Sequence, residues 1–147
     1  MANKNKAKGT RAESNLVKYL INAKLEAMRQ ALHGNTDHGD VLVRLYDKEV
    51  CTEELVLEVK AGQQTANYTR ATRDEWLGQT SAEVRNAKVR RGFLVIARHR
   101  RNIKDWEVWS ADGHSFWYLD QWINWIKCHG RKVRKNEEHQ ALPGHPR

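Results

Sequence analysis

The stretch "HGDVLVRLYDKEVCTEELVLEVKAG", residues 38–62, decides the fold. Within residues 41–46, Val41, Val43 and Leu45 alternate onto one face, the two-residue period of a β-strand. Residues 54–60 repeat it, with Leu55, Leu57 and Val59 on one side and Val56, Glu58 and Lys60 on the other. "DKEVCTEE" between the two runs supplies a hairpin connection. The second strand therefore ends with a carboxylate and an ammonium side by side on one face. Such a pair is either an ordinary same-face contact, worth about 0.2–1 kcal/mol, or part of a chemical site.

Upstream, residues 1–9 carry Lys4, Lys6 and Lys8 without an acid and read as a flexible basic arm. Thr10 with Glu13 three positions on has the form of a capping box. Leu16, Val17, Leu20 and Ile21 then recur at helical spacing, which predicts a helix over about 10–23. Residues 25–32, "LEAMRQAL", fit either a continued helix or a short strand, and "HGNTDHG", 33–39, is a turn by composition.

Downstream, "AGQQTANYTRATRDE" is a long polar loop. A helix follows over 73–88, with Trp76, Leu77, Thr80, Val84 and Ala87 along one side. "FLVIA", 93–97, is the continuous apolar run of a strand buried on both faces, and "WEVWS", 106–110, is a further strand. "YLDQWINWIK" closes the domain as an amphipathic helix, and the polar residues 129–147 form a loose tail. The expectation is one α/β domain over residues 10–128, a mixed sheet of four or five strands flanked by helices.

The 147 residues suffice for one domain with a real core. A net charge of +8 points to a polyanionic partner. No apolar run approaches the roughly 20 residues of a membrane span, and the basic start lacks the apolar core of a signal peptide. Cys51 and Cys128 form no zinc-type pair, and His33 and His38 no ligand spacing, so a reduced, cytoplasmic setting is expected.

Asp40, Glu58 and Lys60 carry the residue types that a metal-dependent phosphodiesterase needs. Magnesium takes oxygen ligands, commonly one or two carboxylates completed by phosphate and water. Such an ion lowers the pKa of a bound water, and a nearby lysine offsets charge on the phosphate. Glu13 is a further candidate oxygen donor on the first helix. Acids and lysines are frequent in this chain, however, so the pattern alone leaves the surface-pair reading open.

Three motifs in order go further: "KGTRAES" at 8–14, "GNTDHGDV" at 34–41 and "LEVKAG" at 57–62. Together they resemble the archaeal-type Holliday-junction resolvases of the PD-(D/E)XK nuclease superfamily, nearest to small phage-encoded members. The likeness spans roughly residues 5–100. It implies a restriction-endonuclease-like fold, with Glu13, Asp40 and Glu58 as the metal-binding acids and Lys60 as the catalytic lysine. It also implies Mg²⁺, with Mn²⁺ as a substitute, and no small-molecule cofactor. Arg29 matches a basic residue that family members carry between the first helix and the acidic turn. Two positions depart from the pattern: Gly39 stands where the motif has proline, and Ser14 where relatives carry arginine.

Residues 85–104 contain eight Lys or Arg and no acid, flanking the buried run. Arg85, Lys88, Arg90 and Arg91 lie before it, and Arg98, Arg100, Arg101 and Lys104 after it. Beside an acidic site, such charge suits DNA phosphates. Arg11, Arg29, Lys88, Arg90, Arg91, Arg98, Arg100 and Arg101 are the candidate DNA contacts. The six tryptophans suit core or dimer-interface packing better than base stacking. The resulting expectation is a metal-dependent endonuclease that resolves four-way DNA junctions by paired nicks, as a homodimer matched to a two-fold substrate. A nuclease for flaps, forks or DNA ends, or a non-catalytic DNA-binding module, are the rival readings.

Overall fold

The computed structural model describes residues 4–30 and 39–128. The elements are α1 (Lys4–Asn22), β1 (Glu26–Arg29), β2 (Val41–Asp47), β3 (Val50–Lys60), α2 (Arg70–Ala87), β4 (Arg91–Ile96), β5 (Glu107–Ser110), β6 (Phe116–Tyr118) and α3 (119–128). Residues 33–38 of the turn expected over 33–39, both of its histidines and the tail after residue 128 lie outside the described residues.

The strands form one mixed sheet in sequential order, β1-β2-β3-β4-β5-β6. Every neighbouring pair is antiparallel except β3 and β4. A parallel pair needs a long crossover, and α2 supplies it. The carboxyl ends of β3 and β4 therefore lie at the same edge of the sheet, with Lys60 opposite Ile96.

The alternation seen in the opening stretch sorts the side chains onto two covered faces. Leu55, Leu57 and Val59 join Leu16 and Leu20 of α1 and Trp122 of α3 in the larger core. Leu16, Leu20 and Trp122 are fully buried, and each buried large apolar side chain contributes about 1.5–3 kcal/mol. On the other face Leu94 and Ile96 of β4 meet Trp76 and Leu77 of α2. The run 93–97 is buried on both sides, as its unbroken apolar sequence requires.

The α/β architecture and central strand agree with the sequence, but the sheet has six strands rather than four or five. Residues 26–29 are a strand, one of the two readings that 25–32 left open. The additional strand is Phe116–Tyr118; three residues are too short to show a two-residue period, and they abut the helix start at 119. The first helix begins at Lys4, so residues 4–9 belong to α1 rather than to an arm, and Thr10 lies inside the helix. Lysine and alanine are good helix formers, and no proline interrupts the segment. The second helix starts at Arg70, because Thr69 caps it by accepting a hydrogen bond from the Thr72 N–H at 3.1 Å. The long polar loop is correspondingly shorter and contains a 3₁₀ turn, Gln63–Thr65.

Candidate active site

Asp40 enters the sheet one residue before β2. Its N–H donates to Leu57 O at 3.0 Å, and its own carbonyl accepts from the Gln30 N–H at 2.9 Å. Val41 pairs with Leu57, so Asp40, one residue before it, lies at the end of the β2–β3 ladder beside the last residues of β3. The carboxylate is fixed as well: Oδ2 accepts a hydrogen bond from the Val59 N–H at 2.8 Å. Gly39, just before it, has φ of 96°, a left-handed value barred to proline. A Cβ there would lie 3.1 Å from that of Val56. Glycine in place of the family's proline is therefore what this approach to β3 requires.

Glu58 is 6% exposed. Its Oε1 lies 3.1 Å from Lys60 Nζ, and that ammonium is itself only partly exposed. Among the described residues the other oxygen, Oε2, is buried and accepts no hydrogen bond. A buried carboxylate oxygen without a protein partner is costly, and a bound cation or water would satisfy it. A hard cation fits this donor, since magnesium commonly takes one or two carboxylates from a protein.

The surrounding cleft, about 390 Å³, is lined by Glu58, Lys60 and four residues of α2: Gln79, Ala82, Glu83 and Asn86. Glu83 is 3% exposed, and its Oε2 comes within 3.6 Å of where a Gly39 Cβ would stand. The helix periodicity pointed to Val84 and gave no hint of a buried acid beside it. Gln79, which from sequence could sit near the site or be a surface or cap residue, lines the same cleft as the Glu58–Lys60 pair.

Glu13 is placed differently. It is bound to Arg29 of β1, with Oε2 3.0 Å from the guanidinium. Among the described residues no three histidine, cysteine, aspartate or glutamate side chains converge on a metal-sized site. The structure thus pairs Glu58 with Lys60, ties the Asp40 carboxylate to the backbone of Val59, the residue after Glu58, and holds Glu13 in an ion pair with Arg29.

The basic residues also divide. Arg91 makes a two-pronged bond to Glu53, with both contacts at 2.7 Å. Arg98 lies 3.4 Å from Glu107, donates to Ala66 O and covers the Tyr68 ring. Tyr68 in turn donates to Glu107, and its hydroxyl pKa is raised by burial and by that bond. Both arginines are built into the fold. Lys88 is the left-handed C-cap of α2 and is exposed, as is Arg90. Arg11, Arg100 and Arg101 are exposed and line one cleft of about 280 Å³.

Trp76, Trp106 and Trp122 are buried in the cores. Phe93, Trp117, Trp122 and Trp125 make edge-on ring contacts beneath α3. Among the described residues no helix is long and apolar enough to cross a membrane.

No protein-family model matches the chain, and no curated protein matches it. Among solved structures it is similar to Hjc, a Holliday junction resolvase of the archaeal hyperthermophile Archaeoglobus fulgidus, at 22% identity. The match covers 71% of this chain and 73% of that one, with a TM-score of 0.46.

Proposed function

We propose that this chain is a divalent-metal-dependent endonuclease that cuts branched DNA, with the four-way junction as its substrate and a homodimer as its working form. The observation that carries the proposal is the buried Oε2 of Glu58, which accepts no hydrogen bond among the described residues and lies beside Lys60 at the carboxyl edge of β3. That edge is where an open α/β sheet offers a ligand site, next to its one parallel crossover. Asp40 and Glu58 would hold Mg²⁺ or Mn²⁺. Bound there, the ion supplies a water of lowered pKa and neutralises charge on the phosphate. Lys60 orients the attacking water and offsets the charge that grows on the phosphate oxygens during displacement. The amide of Gln79 adds a neutral hydrogen-bonding group on the α2 wall. Glu13 contributes through Arg29, whose guanidinium it holds against β1.

The positive charge of the chain suits this chemistry, because carboxylates repel DNA and must be compensated nearby. A two-fold junction needs two symmetric cuts, which is the ground for the homodimer. The test uses labelled four-way junction, flap, linear duplex and single strand, each with Mg²⁺ and with EDTA. Paired symmetric nicks confined to the junction and lost in EDTA are expected. Cleavage of flap or duplex instead would keep the chemistry and replace the substrate. Tight binding without cleavage in either Mg²⁺ or Mn²⁺ would overturn the enzyme reading.

A further inference from the structure

On the opposite face of the same sheet edge lies a second cleft, formed by Arg11 and Asn15 of α1, Ala61 and Gly62 after β3, and the turn 98–101. Lys60 faces α2, whereas Ala61, the next residue, packs on the α1-side core. The two clefts are therefore neighbours across the end of β3. They differ in charge: among the described residues no acidic side chain lines the second, which collects Arg11, His99, Arg100 and Arg101.

This cleft is a rigid construction. Thr65, fully buried, accepts a hydrogen bond from the His99 N–H at 2.8 Å. Its hydroxyl also lies 2.8 Å from Gly62 O and 3.1 Å from Ala97 O. One threonine thus ties the turn after β4 to the turn after β3. The Arg101 N–H closes the turn onto Arg98 O at 3.0 Å, and Arg100 is held at φ of 62°. A left-handed arginine costs backbone energy unless its surroundings impose it, and residues kept in that state cluster at binding sites. Arg98, the one turn arginine committed to Glu107, anchors the segment and leaves Arg100 and Arg101 exposed.

We infer that this cleft is a second phosphate subsite, which grips a non-scissile phosphodiester of the DNA strand whose scissile phosphate lies at Lys60. Arg11 from α1 and Arg101 from the turn approach that phosphate from two sides, and Thr65 is the positioning residue that sets the turn. The strand then crosses the carboxyl edge of β3, from the acidic cleft on one face to the basic cleft on the other. The inference rests on the endonuclease reading only for what happens at Lys60; the phosphate contact itself is independent of cleavage.

The test is fluorescence anisotropy on a labelled duplex and a four-way junction in EDTA, from about 50 to about 300 mM NaCl. Wild type is compared with Arg11→Gln, Arg101→Gln, the double variant, and Lys48→Gln at the far end of β3 as a charge control. A single neutralised phosphate contributes a slope of about 0.9 in log K against log salt, equivalent to roughly tenfold in affinity near 50 mM. The double variant should lose that slope and weaken binding about tenfold, with each single variant giving part of the same loss and Lys48→Gln none. Loss of about two in slope would mean two separate phosphates and would overturn the shared subsite. Arginine variants that match Lys48→Gln would overturn the contact altogether. If cleavage fails for wild type while the slope falls as stated, the enzyme reading alone is lost; intact cleavage with unmoved slopes sinks this inference alone.

Discussion

Replacing Lys60 by methionine should destabilise the fold markedly although the residue ends a strand at the sheet edge. At 3.1 Å from Glu58 Oε1, with an effective dielectric of about 20, the gross attraction is about 5 kcal/mol. Part of it is offset by the desolvation both groups bear, and the partly exposed ammonium can be replaced in part by water. The Glu58 side chain is only 8% exposed, so a carboxylate stripped of its cation stays largely out of water. A net loss of about 2–3 kcal/mol is expected, at or just below the range for removing one partner of a buried pair. For a domain of this size that lowers Tm by about 5–10 °C. Urea denaturation in EDTA is the assay, with the m-value unchanged. The double variant Glu58→Gln/Lys60→Met should recover most of the loss, giving a coupling energy of about 2 kcal/mol. A Lys60→Met effect under about 0.5 kcal/mol would refute the reasoning, since that is what a solvated surface pair contributes.

Gly92→Ala should cost about 2 kcal/mol or more, because its Cβ would lie 2.3 Å from Val84 Cγ2 and 3.2 Å from Val56 O; a wild-type urea midpoint would show that α2 shifts freely. Thr65→Val keeps the shape but strands the His99 N–H, so about 1–3 kcal/mol should be lost, with Thr65→Ser restoring most of it in the same thermal melt. The Tyr19 hydroxyl is pushed up from 10.0 to about 12, chiefly by its hydrogen bond to Asp120, with burial adding to it. Its contribution to stability is therefore whole below pH 10 and is lost as pH rises toward 12. Tyr19→Phe should lower stability at neutral pH and flatten the decline across that alkaline window; parallel declines in urea midpoint for both proteins would contradict this.

Periodicity made the hairpin, the central strand and both cores legible, because burial on one face or two leaves a direct trace in the order of apolar residues. The Glu58–Lys60 pair was legible for the same reason: polar residues at the end of an apolar alternation stand out. Length limited the rest. A strand of four residues, β1, and one of three before a helix, β6, carry too few alternations to declare themselves. Partnership is a second limit. Arg91 and Arg98 look like their exposed neighbours in a basic run, and only folding sets them against Glu53 and Glu107. Glu83 hides next to Val84 on a helix whose apolar stripe is incomplete, and its burial follows from the close approach of Gly39. Glu13 shows the converse. The resemblance marks it as a metal-binding acid, and nothing in the sequence shows that the fold also sets it 3.0 Å from Arg29.

The claim on which the function rests is that Asp40 and Glu58 hold a divalent cation beside Lys60. Calorimetric titration of Mn²⁺ into the wild type, Asp40→Asn, Glu58→Gln and Glu13→Gln tests it without any substrate. One site per chain is predicted for the wild type, retained in Glu13→Gln and lost in both Asp40→Asn and Glu58→Gln. Undiminished binding in those last two variants would contradict it.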